Sequence, residues 1–183
     1  MNKFSVKKLV LTGLLLGLVI AAQQFRWVNP QIGQFITGSL VNAILIIAAV
    51  WAGLSSGLII GILSPVFAWL ITPGPVMQML PQLVLVIALG NIAIVVLAWL
   101  FRDKNIGFFG VGLALGSALK AALIWGGMLL LISPFMFGDN VPAPMQESLT
   151  GFWSINQWVT PFVGSVFVLL IRPALNKALK RSN

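Results

Sequence analysis

Apolar residues run through this chain in long blocks, broken at short intervals by Pro, Gly and charged residues. A helix that crosses a bilayer needs about 20 mostly apolar residues, at 1.5 Å rise through a hydrocarbon core of roughly 30 Å. Six blocks meet that requirement, near residues 9–23, 35–51, 57–71, 80–101, 108–135 and 152–171. The joints between them are short. Residues 24–34 are polar around Arg26 and Pro30, 52–56 form a tight turn, Pro73-Gly74-Pro75 breaks the third joint, and 102–105 is a charged turn. The one long loop, 138–151, carries Pro142 and Pro144. Pro and Gly at such joints cannot continue a helix well. With no internal repeat, low-complexity tract or soluble segment, residues 1–183 read as one all-α integral membrane domain, a bundle of six transmembrane helices.

Composition agrees. Hydrophobic side chains make up 59% of the 183 residues and charged ones 8%, against about 45–50% and roughly 25% in a soluble domain. A chain this short cannot hide so much apolar surface in one soluble core. Its solvent is lipid, and a multi-pass protein of the cell membrane is expected.

The net charge of +8 is explained by position. Lys3, Lys7 and Lys8 precede the first span, Arg102 and Lys104 sit between the fourth and fifth, and Lys177, Lys180 and Arg181 follow the sixth. The other side holds Arg26 with Asp139 and Glu147. The positive-inside rule then places both termini in the cytoplasm. Trp27, Trp69 and Trp153 fall at the outer boundary, Trp51 and Trp99 at the inner one, as interfacial belts require. Topology accounts for the basic excess, so nucleic acid is not an expected partner. The Lys-rich start and the triplet Val19-Ile20-Ala21 also resemble a cleaved signal peptide, but the apolar run is long for a signal.

The sequence has no His and no Cys, and its three acids are Asp103, Asp139 and Glu147. That excludes a His-based triad, a Cys nucleophile, a zinc or haem cage and a disulfide. The acids lie in connectors on opposite sides, so they form no acid/base pair. There is no Walker-type phosphate loop. Neither an enzyme nor a resident cofactor or metal is expected, and any use of ATP must come from partner subunits.

Lys120 is the sharpest candidate. It lies about 13 residues into the fifth span, roughly 20 Å from the inner surface, beyond the reach of snorkelling. A bare charge at that depth costs about 3 kcal/mol on insertion scales, so something must solvate it. Gly112, Gly116 and Lys120 share a helix face, with Ser117 and Gly127 close to it. Two readings stand: an amine paired to carbonyls inside the bundle, or a cationic contact for a polar or anionic substrate. No span contains a carboxylate. That disfavours a cationic substrate and leaves the substrate as counter-ion. A neutral amine would leave ligand charge unconstrained.

The sixth span opens with Trp153, Asn156, Gln157, Thr160 and Gly164 at spacings of three and four. Amides and an indole beside an apolar surface suit a small heteroaromatic ligand, and interhelical hydrogen bonding would use the same residues. Asn91 follows Gly90 in the fourth span and is expected to face the same cavity, whereas Asn42 reads as structural glue. Gln78 and Gln82 read as boundary residues. Gly13, Gly17 and Ala21 form a small-xxx-small series in the first span, repeated by Gly57 and Gly61 in the third. Such series let backbones approach closely, within the chain or against a partner.

The whole chain resembles a substrate-binding S component of an energy-coupling factor (ECF) transporter. The likeness lies in six spans, both termini inside, Lys7-Lys8 before Leu9, Thr12, Gly13 and Gly17, the polar first loop, and the Gly57–Gly61 region. In that family an Ala-xxx-Ala motif in the first span docks on the coupling subunit. Gly13-xxx-Gly17 is similar in size and place, though not the Ala version. The resemblance implies a vitamin-like solute bound towards the outer side, which implicates Arg26, Trp27, Asn91, Lys120, Trp153, Asn156, Gln157 and Thr160. It also implies an ECF module of one membrane coupling subunit and two ATPases as partner. The alternative is a small transporter or channel working alone as a homo-oligomer.

Overall fold

The structure is a computed structural model and describes residues 6–28, 30–72, 77–78, 80–136 and 153–180. Its helices are α1 (Val6–Gln23), α2 (Phe25–Val28), α3 (Pro30–Ile47), α4 (Leu54–Ile71), α5 (Leu83–Phe101), α6 (Ile106–Met136) and α7 (Trp153–Lys180). Among the described residues six helices are long and apolar enough to cross a membrane. The polar joint after α1 is itself mostly helical. Gln24 makes a single turn, with Trp27 N–H donating to Gln24 O at 3.0 Å, and Pro30 opens α3, where its missing N–H has no intrahelical partner to lose. The pattern also ended the last span at 171, whereas α7 runs on to Lys180.

Local chemistry explains the other joints. α3 loosens into a π-helical turn at Ala48–Ala52 and stops at Gly53. Gly53 has φ +97°, a conformation that costs glycine little and other residues much. The α5–α6 turn is closed from two sides. Asn105 Oδ1 accepts the N–H of Phe108 at 2.9 Å, capping α6. Arg172 on α7 donates to Arg102 O at 2.6 Å and Lys104 O at 3.0 Å, taking up carbonyls at the end of α5.

The long helices pack as a ring in the order α1, α4, α5, α6, α7, α3, with α3 also touching α5 across the middle. Lipid-facing positions are as apolar as the core, with Leu14, Leu85, Leu130 and Leu170 all exposed. Helices that are hydrophobic all round belong in a bilayer. One end of the bundle gathers Lys8, Arg102 and Arg172, with Trp51 Nε1 donating to Asn176 Oδ1 at 3.1 Å. The large buried cluster around Val19, Leu45, Ile46, Ile60, Ile94 and Phe109 fills this basic half. A smaller one, Leu83, Ile124 and Met128, joins α5 to α6 near the other end.

Polar ties fasten α1 along α4. Lys8 Nζ donates to Ser55 Oγ at 2.9 Å, Thr12 Oγ1 to Ser56 Oγ at 2.8 Å, and Gln23 Nε2 to Ser64 O at 2.9 Å. The opposite face of α1 is bare, and a Cβ built at Gly13 or Gly17 would meet nothing within 4 Å. Gly164 on α7 is the contrary case, since its Cβ would sit 2.7 Å from Ser39 O and 2.8 Å from Asn42 Cβ. Gly164→Val should therefore destabilise the bundle by about 1–3 kcal/mol, the usual scale of overpacking. Gly13→Val should leave the unfolding midpoint of the detergent-solubilised protein close to wild type. Equal midpoints for the two variants would contradict this packing.

Candidate functional site

The site is built from glycines outward. Each of three buried polar side chains leans across a glycine on a neighbouring helix. Asn91 of α5 lies over Gly61 of α4, Lys120 of α6 over Gly90 of α5, and Asn42 of α3 over Gly164 of α7. A Cβ at Gly61 would stand 3.4 Å from Asn91 Cβ, and one at Gly90 would stand 3.1 Å from Lys120 Cγ. Absent Cβ atoms thus bring polar groups from three helices to one point in the interior.

At that point Lys120 Nζ donates to Asn91 Oδ1 at 2.6 Å and to Asn42 Oδ1 at 2.5 Å. Both amides are held with their oxygens towards the lysine because their nitrogens are engaged elsewhere. Asn42 Nδ2 donates to Gly38 O at 2.8 Å, one turn back on its own helix. Asn91 Nδ2 donates to Gly61 O at 2.8 Å and to Ser64 Oγ at 3.2 Å. Gly61 O is free to accept because Pro65, inside α4, has no N–H to return to the carbonyl four residues earlier. One proline thereby fixes the orientation of an asparagine on another helix.

In its protonated form the lysine has three donors, of which two are used here. The third has no acceptor among the described residues. Among the described residues no carboxylate approaches it either: the ion pair there joins Arg102 to Asp103 at 3.2 Å, in the turn at the basic end. Lys120 borders a cavity of about 80 Å³, several times what one ordered water needs. The cavity is also lined by Asn42 and Asn91, by Gln23, Arg26, Gln34 and Thr37, by Ser64, Pro65 and Ala68, and by Asn156, Gln157 and Thr160.

Several of these groups are buried without a partner: Gln23 Oε1, Arg26 Nε, Gln34 Nε2 and Asn156 Nδ2. A buried polar atom left unpaired costs about 1–3 kcal/mol, and native proteins keep few of them. Here they line the same cavity as Lys120. Three of the four are donors.

Of the residues expected from sequence, Arg26, Asn91, Lys120, Asn156, Gln157 and Thr160 line this cavity. Arg26 reaches it from α2 and donates from Nη1 to Thr72 O at 3.4 Å. Trp27, 71% exposed, is not among the lining residues. Trp153 begins α7, and its side chain lies outside the described residues, as do Asp139 and Glu147. Ser117 pairs with Ser165 Oγ at 2.9 Å, and Gly116 packs on Ile94. Those two join helices and stand apart from the cavity. Asn42 is both glue and lining. Gln23, Gln34, Thr37 and Ser64 were not expected there. Gln23 and Gln34 sit near helix ends, where polarity reads equally as boundary, whereas Thr37 and Ser64 lie inside α3 and α4.

Helices long and apolar enough to cross a membrane thus surround a polar cavity. The chain matches the family model of the ECF transporter substrate-specific component over residues 7–176, and it belongs to that family. Comparison with curated proteins and with solved structures gives no match. It is thus a multi-pass membrane protein and a substrate-specific subunit of ECF transport, a class that binds a small molecule and associates with an ECF module.

The proline-asparagine link can be tested alone. Asn91→Leu strips partners from Gly61 O and Lys120 and should lower stability by about 1–3 kcal/mol. Adding Pro65→Ala restores an N–H for Gly61 O and should recover part of that loss, although Pro65→Ala in the wild-type background does not stabilise. Thermal unfolding of the four proteins in detergent closes the cycle, and strict additivity would refute the link.

Proposed function

We propose that this subunit captures a compact, vitamin-like solute bearing an acidic or strongly accepting group from outside the cell, for ATP-driven uptake by its partners. The observation that carries this reading is the unused third N–H of Lys120, in a cavity where unpaired donors outnumber unpaired acceptors. A ligand carboxylate or phosphate supplies what the lysine lacks, in a medium where charge interactions are little screened. A cationic solute would find no carboxylate among the described lining residues.

Orientation follows the positive-inside rule. The end bearing Lys8, Arg102, Lys104, Arg172 and Lys177 faces the cytoplasm, and the end bearing Arg26 faces out. The cavity then opens in the outer half. α1 is the coupling element, because Gly13, Gly17 and the exposed Ala21 form a bare strip of small residues that suits close approach of another helix. The partner is the ECF coupling subunit with its two ATPases.

Two measurements test this reading. Mass spectrometry of small molecules released from the detergent-solubilised wild type should identify a bound solute, and Lys120→Met should weaken its binding by about 2 kcal/mol, roughly thirtyfold in Kd, while Lys120→Arg should lose less. Unchanged affinity in Lys120→Met would reduce the lysine to a structural role. Gly17→Leu meets no internal clash, so the isolated subunit should fold and bind normally yet fail to assemble with the ECF module. Normal complex yield and uptake in that variant would remove α1 from docking.

A further inference from the structure

Resting on the reading of the cavity as the solute's binding site, we infer that Gln23 and Gln34 recognise an amide-type edge of the solute, an N–H beside a carbonyl, as in a lactam or a pyrimidine-like ring. Both side chains line the cavity. Each holds a buried polar atom without a hydrogen-bond partner among the described residues, Oε1 of Gln23 and Nε2 of Gln34. One is an acceptor and the other a donor. They are complementary in kind, yet they do not satisfy each other.

One backbone tie brings the two amides to the same corner. Thr37 Oγ1 on α3 donates to Ala22 O on α1 at 2.9 Å. Gln23 follows Ala22 directly, and Gln34 lies three residues before Thr37, a spacing that puts both α3 side chains on one face. Gln23 is 3% exposed, and its amide can stand only one way round. Nε2 donates to Ser64 O at 2.9 Å, and turning the amide over would set its oxygen against that carbonyl. The free atom is therefore an acceptor. A solute that fills this corner brings a donor to it or leaves the oxygen buried and unpaired, which is costly. A lone carboxylate has no such donor, whereas an N–H beside a carbonyl serves Gln23 and Gln34 together. Ser64 also joins this corner to the lysine: its Oγ accepts from Asn91 Nδ2 at 3.2 Å, and Asn91 Oδ1 accepts from Lys120 Nζ at 2.6 Å. The amide-type edge and the group received by Lys120 thus belong to one ligand.

Two small probes isolate the edge. 2-Pyridone carries it in a single ring, and N-methyl-2-pyridone keeps the carbonyl but has no N–H. Each is titrated into the purified full-length subunit, and binding is read by ligand-observed NMR in wild type, Gln23→Met and Gln34→Met. Wild type should prefer 2-pyridone by about tenfold, the worth of one buried hydrogen bond. Gln23→Met should erase that preference by weakening 2-pyridone alone, whereas a merely structural role would weaken both compounds alike. Gln34→Met should weaken both compounds and keep the preference, because both retain the carbonyl. Equal binding of the two probes by wild type, a preference untouched by Gln23→Met, affinities untouched by Gln34→Met, or no binding of 2-pyridone would each overturn the inference. Should Gln23→Met fail to fold for want of its tie to Ser64, the wild-type preference and Gln34→Met still decide. The solute released from wild type gives a second check. A solute without an N–H beside a carbonyl would overturn the edge and leave the Lys120 reading to its own variants. A solute sensitive to Gln23→Met and indifferent to Lys120→Met would keep the edge and overturn the acidic-group reading.

Discussion

An amine in the middle of a bilayer must be solvated by the protein, and the architecture follows from how this one is. Lys120 is held by two amide oxygens from two other helices, not by a counter-ion. That choice has geometric demands. Each amide must present oxygen inward, so each amide nitrogen needs an acceptor, and backbone carbonyls at Gly38 and Gly61 supply them. The helices must approach closely enough for short side chains to meet, so glycines stand at Gly61, Gly90 and Gly164. The proline of α4 belongs to the same set. In an aqueous protein Pro65 would be a defect of about 3 kcal/mol, whereas here the carbonyl it frees becomes a fixed acceptor.

Apolar and polar halves of the bundle divide the labour. The basic half is filled by packed aliphatic side chains and Phe109, and close packing of that kind resists deformation. The opposite half keeps a polar cavity with unpaired amide and guanidinium atoms. Unpaired groups in a low-dielectric setting weaken the empty protein and are relieved when a matching ligand arrives. On the proposed function, stability given up in the empty state is returned as binding energy, and the packed half keeps the fold intact meanwhile.

Much of this was legible in the sequence, for physical reasons. Long apolar blocks leave few alternatives to membrane helices, and a lone deep lysine with no acid announces its own importance. What stayed hidden depended on three-dimensional phase. Gln23 and Gln34 sit where a span meets a joint, and nothing in spacing says that they turn inward. Asn42 read as glue because one asparagine in an apolar helix bonds its neighbours in either case. The joint at 24–34 read as a polar loop, yet a bilayer boundary favours satisfying backbone groups internally, and it folded into helix. The partnership of Pro65 with Asn91 could not be seen, since it joins residues on different helices through a carbonyl that has no side-chain signature.

The ties between α1 and α4 fix more than proximity. The two helices lie side by side, and the partners of Lys8, Thr12 and Gln23 are Ser55, Ser56 and Ser64, at intervals that differ on the two helices. Unequal intervals act as a vernier. A slide of α1 by one turn brings no second set of partners into line, so all three bonds are lost together. Because Thr12 and Gln23 are buried, intermediate positions are penalised as well. α1 and α4 are therefore held in one register, with the bare glycine strip of α1 turned away from the wall that carries Gly61, Ser64 and Pro65.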